Sequence, residues 1–189
     1  LPFRYKVSQI NITNFEGVYE PAEDSWLMIN HIPELTGSVL EIGCGTGIIS
    51  INLAKKSLQV TAVDKNPKAV EATRFNSINN NVDIEILEGD MFTPVPNRKF
   101  ETIICNPPYL PPSDQKYQDP ELDLAVEGGT GGIEFTETFL SEAAHYLEKS
   151  GSIYLIISTR MKDFKTNWNR ETIHQEKFFF ERLILERFF

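Results

Sequence analysis

Cysteine, histidine and positive charge are all scarce in this chain of 189 residues. The two cysteines, Cys44 and Cys105, cannot build a disulfide framework and read as reduced thiols of a cytosolic protein. The three histidines, His31, His145 and His174, are dispersed, with no spacing that suggests metal ligation. Lysine and arginine number 18 against 27 aspartates and glutamates, a formal charge of −9. Such a balance argues against a broad nucleic-acid surface, because phosphate contacts need basic side chains. The basic residues of TRMKDFKTNWNR, 159–170, form the one local cluster and read as a solvated helix face. No apolar run approaches the roughly 20 residues of a membrane span. The opening LPFRYKVSQINIT lacks the apolar stretch of a signal peptide. Because it starts at Leu1, the numbering is expected to begin inside the natural chain. Internal repeats, low-complexity tracts and linkers are absent too.

What the chain does have is alternation. Hydrophobic residues make up 41% and aromatics 11%, enough for a core. Short apolar runs alternate with longer amphipathic ones, the pattern of an α/β protein with a parallel sheet. Helices are expected over AEDSWLMINHIPEL, GIISINLAKK, PKAVEATRFNSINN and GIEFTETFLSEAAHYLEK. Strands are expected over SVLEI, QVTAV, DIEIL, TIIC and SIYLIIS. DIEIL alternates polar with apolar residues, so it belongs near a sheet edge. KFFFERLILERFF is expected to close the chain as a hairpin turning near Glu181 and Arg182, its phenylalanines mostly in the core. A single domain over 1–189 is expected, with 1–16 an N-terminal extension and 17–189 the core.

VLEIGCGTGIIS joins the first strand to the next helix through Gly43, Gly45 and Gly47. Glycines permit a tight turn and close backbone approach to a ligand, and the helix behind them offers free N–H groups. A dinucleotide fingerprint would need its third glycine where Ile48 stands, which counts against NAD. An acid, Glu41, instead precedes the first glycine by two positions. This arrangement resembles motif I of class I S-adenosylmethionine (SAM) methyltransferases. Asp64 ends the second strand, where a carboxylate can accept from both ribose hydroxyls. Asp90 follows the third strand and can receive the adenine amino group, with Met91 and Phe92 covering the ring. Taken alone, each acid could equally be a cap or turn residue. Three strand ends in a row place their groups along one sheet edge, where open α/β sheets bind ligands.

Asn106-Pro107-Pro108-Tyr109 follows the fourth strand. A planar amide or arylamine nitrogen is a poor nucleophile because its lone pair is delocalised. Acceptors on its two protons hold the NH2 in place and stabilise charge developing on it. Asn106 offers a side-chain carbonyl and Pro107 a backbone carbonyl; the prolines stiffen the loop, and Tyr109 can stack on a flat substrate group. The bland alternative is an ordinary turn. The tetrapeptide resembles motif IV of amino-methyltransferases that act on glutamine, adenine N6 or guanine N2.

VYEPAEDSWLM, at 18–28, resembles the opening of the HemK-like glutamine methyltransferases in their archaeal and eukaryotic branch. PPYLPPSDQKYQDPELDLAVEGGTGGIEF resembles that family's motif IV loop and the glycine segment after it, here Ala125, Gly128, Gly129 and Gly132. Gly131 stands where members often carry Asp. The resemblance spans most of residues 17–160. It implies a Rossmann-like, seven-stranded, mostly parallel sheet with helices on both faces and a C-terminal antiparallel hairpin. It implies SAM as cofactor and, as substrate, the glutamine of the Gly-Gly-Gln motif of a class I translation release factor. Carried over, Ser25, Glu41, Gly43, Gly45, Gly47, Asp64, Asp90, Met91 and Asn106 surround the cofactor, and Asn106 through Tyr109 hold the glutamine. It also implies a small zinc-binding activator subunit that extends the sheet at the edge near Asp83–Leu87. A nucleobase or lysine methyltransferase and a non-catalytic SAM-binding scaffold remain alternatives. Lysine would have to arrive neutral, yet the chain offers no obvious base.

Overall fold

A computed structural model describes residues 10–110, 125–179 and 181–189. Its strands are β1 (Ser38–Ile42), β2 (Gln59–Asp64), β3 (Glu85–Glu88), β4 (Phe100–Cys105), β5 (Leu147–Ser158), β6 (Arg170–Phe178) and β7 (Glu181–Phe188). Its longer helices are α1 (Glu23–His31), α2 (Ile48–Ala54), α3 (Pro67–Asn79) and α4 (Glu134–Ala143). The strands form one seven-stranded sheet in the order β3-β2-β1-β4-β5-β7-β6. The first five in that order run parallel, and β7 pairs antiparallel with both β5 and β6. This is the architecture expected from the sequence.

Alternation along the central strands divides two cores. Val39, Ile104, Tyr154 and Ile156 face a cluster with Leu27 and Met28 of α1 and Ile48 and Ile51 of α2. Leu40, Ile42, Ile103, Cys105, Ile153 and Leu155 face a cluster with Phe139 and Leu140 of α4, Phe92 and Phe188. Burial on both faces explains why these strands read as continuous apolar runs. Asn66 caps α3 by accepting from the Lys68 N–H at 2.9 Å, with Pro67 in the first turn.

Four expectations need correction. TRMKDFKTNWNR forms no helix: residues 159–169 are irregular, and Arg170 begins a strand. The hairpin is therefore longer than its apolar ending suggests, because β6 is RETIHQEKF, an edge strand without a fully buried residue. Its phenylalanines divide, with Phe188 buried, Phe178 packed at the core's margin, and Phe179 and Phe189 exposed. Helix α1 is also shorter than AEDSWLMINHIPEL, ending at His31. The motif IV loop over 111–124, residues 1–9 of the N-terminal extension and residue 180 lie outside the described residues. Among the described residues no helix is long and apolar enough to cross a membrane.

Candidate active site

The sheet order reverses direction between β1 and β4, so the loops after their carboxyl ends diverge and leave a crevice. Register aligns Ile42 with Val63 on one side and with Cys105 on the other. The residues that follow, Gly43, Asp64 and Asn106, therefore sit side by side at one edge. They border a cavity of about 450 Å³ lined also by Ser25, Glu41, Gly45, Asp90, Met91 and Pro108.

Asp64 ties two loops together. One carboxylate oxygen accepts from the Gly45 N–H and the other from the Asn66 N–H, both at 2.9 Å. Each oxygen keeps a second lone-pair direction for a ligand hydroxyl. Burial raises the Asp64 carboxyl from its ordinary value, against the pull of those two N–H groups. Gly47 does not line the cavity; it caps α2 at φ +82°, and a β-carbon there would come within 2.8 Å of Thr73. Its role is to let α2 pack against α3.

Glu41 is buried, and the Ser50 hydroxyl donates to it. Burial pushes its carboxyl up to about 8, outweighing the Ser50 bond, and nearby Asp64 adds to the rise. The sign of the pH effect follows. An unfolded Glu41 titrates near 4.5, so its contribution to stability is greatest below that pH and is lost as pH rises toward about 8. A cation in the cavity favours the charged carboxylate, so its binding below that value releases a proton. Affinity for a cationic cofactor is expected to rise between pH 6 and 8, by at most about tenfold per unit, and then flatten. Calorimetry in buffers of different ionisation heat should show this proton release, and Glu41→Gln should abolish it. An unaltered release in that variant would assign it to another group.

Asn106 stands at the cavity's inner wall. Its side-chain oxygen is buried and has no hydrogen-bond partner among the described residues. Such an atom costs about 1–3 kcal/mol if left unpaired, so its presence at a cavity wall points to a ligand donor. Backbone bonds hold the end of this loop. The Leu110 N–H donates to Val126 O at 2.8 Å, and the Gly128 N–H returns a bond to Leu110 O at 2.9 Å. Gly132, at φ +72°, lies against the Tyr109 carbonyl so closely that a β-carbon would overlap it. The glycine segment of the sequence thus clamps the backbone of Asn106–Leu110.

Tyr109 and Pro107 lie outside the cavity lining. Instead of stacking in the cavity, Tyr109 packs at the first core and donates to Asp24 at 3.2 Å. Burial, followed by the Asp24 charge, pushes its phenol pKa up, so it stays a donor. Tyr19 donates to the same carboxylate oxygen at 3.0 Å, and Asp24 also accepts from the Ser25 N–H at 2.6 Å. Asp24 therefore joins α1, the segment before it and the motif after β4. Phe92 likewise does not cover the cavity: it is buried in the second core, its ring stacked 4.5 Å from Tyr146. Met91, at φ +47°, reaches the lining together with Gly89 and Asp90 of that turn. Sequence reasoning missed Phe135 and Tyr19 as cavity aromatics, although both fall within quoted motifs. The cysteines Cys44 and Cys105 are free and buried.

Fold and site together define a class: a Rossmann-like methyltransferase with an acid-lined pocket at the carboxyl edge of its sheet. The model of the family "Methyltransferase small domain" matches residues 10–119. A protein of Methanocaldococcus jannaschii, provisionally named as a protein N5-glutamine methyltransferase, is 43% identical over 144 residues, 75% of this chain and 73% of its own length. The release factor glutamine methyltransferase of Geobacter sulfurreducens is 32% identical over 121 residues, 60% of this chain but only 43% of its own length. Among solved structures, a chain of the E. cuniculi Mtq2–Trm112 complex, responsible for methylation of the eRF1 translation termination factor, superposes with a TM-score of 0.69. It is 21% identical, and the match covers 91% of this chain and 98% of that one. The chain belongs to the methyltransferase small domain family, and S-adenosyl-L-methionine is its cofactor.

The residues present fit that cofactor. Asp64 has free acceptor directions for a ribose, the Gly43–Gly47 turn leaves backbone room, and Glu41 can lose its proton to a cationic group that enters beside it. When bound, the cofactor supplies an electrophilic sulfonium methyl group.

Proposed function

We propose that this chain is a protein-glutamine N5-methyltransferase whose substrate is the Gly-Gly-Gln glutamine of a class I translation release factor. The observation that carries the reading is the unpartnered, buried side-chain oxygen of Asn106 at the cavity wall. A carboxamide oxygen held there can accept one proton of a side-chain NH2 and fix its nitrogen for in-line attack. The Pro107 carbonyl is assigned to the second proton. No general base is needed, since the nitrogen's proton can leave to solvent after transfer. Ser25, Glu41, Gly43, Gly45, Asp64, Asp90 and Met91 are assigned to the cofactor, with Gly47 acting through the turn. Tyr109 is assigned to positioning, through Asp24.

The net charge of −9 supports a basic protein partner over a nucleic acid. The whole chain is taken as one domain acting in the cytoplasm. A small activator subunit is proposed to add a strand at β3, the free edge of the parallel half of the sheet. Helix α3, which packs beside β3, exposes the apolar side chain of Ile78.

The test is incubation of the chain with methyl-labelled cofactor and a purified release factor, intact or with its Gly-Gly-Gln glutamine replaced. Label should enter the intact factor alone. Equal labelling of both factors would contradict the reading, and label in added RNA that resists protease but not nuclease would move the assignment to a nucleobase.

A further inference from the structure

His31 ends α1, and His174 lies on the edge strand β6, yet their rings stack with centroids 3.5 Å apart and planes within 7°. Glu176, two residues beyond His174, points to the same face of the strand. One donor atom from each of the three lies within 4.8 Å of the other two, and all three side chains are half-buried. Among the described residues the site has no cation of its own: neither His174 nor Glu176 has an ion-pair partner. Nothing in the spacing of these histidines suggested this meeting; the long β6 created it.

We propose that His31, His174 and Glu176 form a binding site for a divalent transition-metal cation of the zinc type. Two imidazoles and one carboxylate are a donor set that zinc accepts, with one position left for water. Nitrogen ligands at about 2.0–2.1 Å from a tetrahedral ion lie roughly 3.4 Å apart, inside the 4.8 Å that bounds the donor atoms of this group. Parallel rings aim their lone pairs side by side, so ligation requires a tilt of one ring, which partial exposure permits. The bound ion would pin the end of α1 to β6. The opposite end of the same helix carries Ser25, which lines the cavity and whose N–H donates to Asp24, so the clasp would steady the wall of the active site.

The test uses the full chain without a histidine tag, titrated with Co²⁺ and followed by visible absorption, with Zn²⁺ competition. One equivalent should give the bands of a four- or five-coordinate nitrogen–oxygen site, and Zn²⁺ should displace them. His174→Ala and Glu176→Gln should each weaken binding at least about tenfold, while circular dichroism and cofactor affinity stay at the parent values. Should His174→Ala misfold, Glu176→Gln alone decides. Zn²⁺ at a hundredfold excess over its Kd should raise the parent's unfolding midpoint by roughly 5–10 °C and the variants' by about half of that or less. Absence of stoichiometric binding by the parent, equal binding by Glu176→Gln, or a thiolate charge-transfer band would overturn the site.

Discussion

Asn106→Ala should bind the cofactor with unchanged affinity and lose on the order of 10²–10³-fold in turnover, the usual scale for removing one preorganised hydrogen-bonding group. The Asn106 oxygen is buried without a partner among the described residues, so the fold carries its desolvation cost until substrate supplies a donor. Its removal should relieve that cost, and the variant should be no less stable than the parent apart from the small void it leaves. A loss of turnover together with a gain or no change in unfolding midpoint separates this account from a merely structural asparagine. Asn106→Asp tests charge, because its carboxylate still accepts a hydrogen bond but places a negative charge beside the reacting centre. Near-normal turnover by Asn106→Ala would remove the mechanism.

Asp64→Ala should act on the other side of the reaction, raising the cofactor Kd by at least about a hundredfold. Hydrogen bonds to a charged group are worth about 1.5–3 kcal/mol each, and two ribose hydroxyls are assigned to this carboxylate. The same substitution frees the Gly45 and Asn66 N–H groups, which now bond Asp64 at 2.9 Å, so the glycine turn should also loosen. Asp64→Asn keeps the shape and one acceptor and should fall between the two. Calorimetry with the cofactor measures all three. An unchanged Kd in Asp64→Ala would show that the carboxylate serves only to join the two loops.

Much of this site was legible in the sequence because parallel α/β sheets deliver residues at strand ends in a predictable row. β1 and β2 were bounded within a residue of their observed ends, since a strand buried on both faces is a continuous apolar run bracketed by turn residues. Glu41, Asp64 and Asn106 then fell into place through strand order alone. Side-chain direction was not legible. Phe92 and Tyr109 both stand beside cavity residues in sequence, yet tertiary packing turns Phe92 into the second core and Tyr109 toward Asp24. Most of β6 escaped notice, all but its end at Lys177 and Phe178, because an edge strand with alternate residues in water carries no apolar signature, and the charges of the segment before it resemble a helix surface. For the same reason the approach of His174 to His31 had no trace in spacing. The residue Asn106 could be singled out from sequence, but the partnerless state of its oxygen is a property of the folded chain.

The most direct measurement is the distance from the Asn106 side-chain oxygen to the amide nitrogen of a glutamine substrate. It can be read from a crystal structure of the chain with demethylated cofactor and a release-factor peptide. The account predicts a hydrogen bond of about 2.7–3.2 Å, with the amide flat in the cavity and its nitrogen facing the sulfur. An Asn106 oxygen paired to a protein group, with the glutamine amide elsewhere, would contradict it.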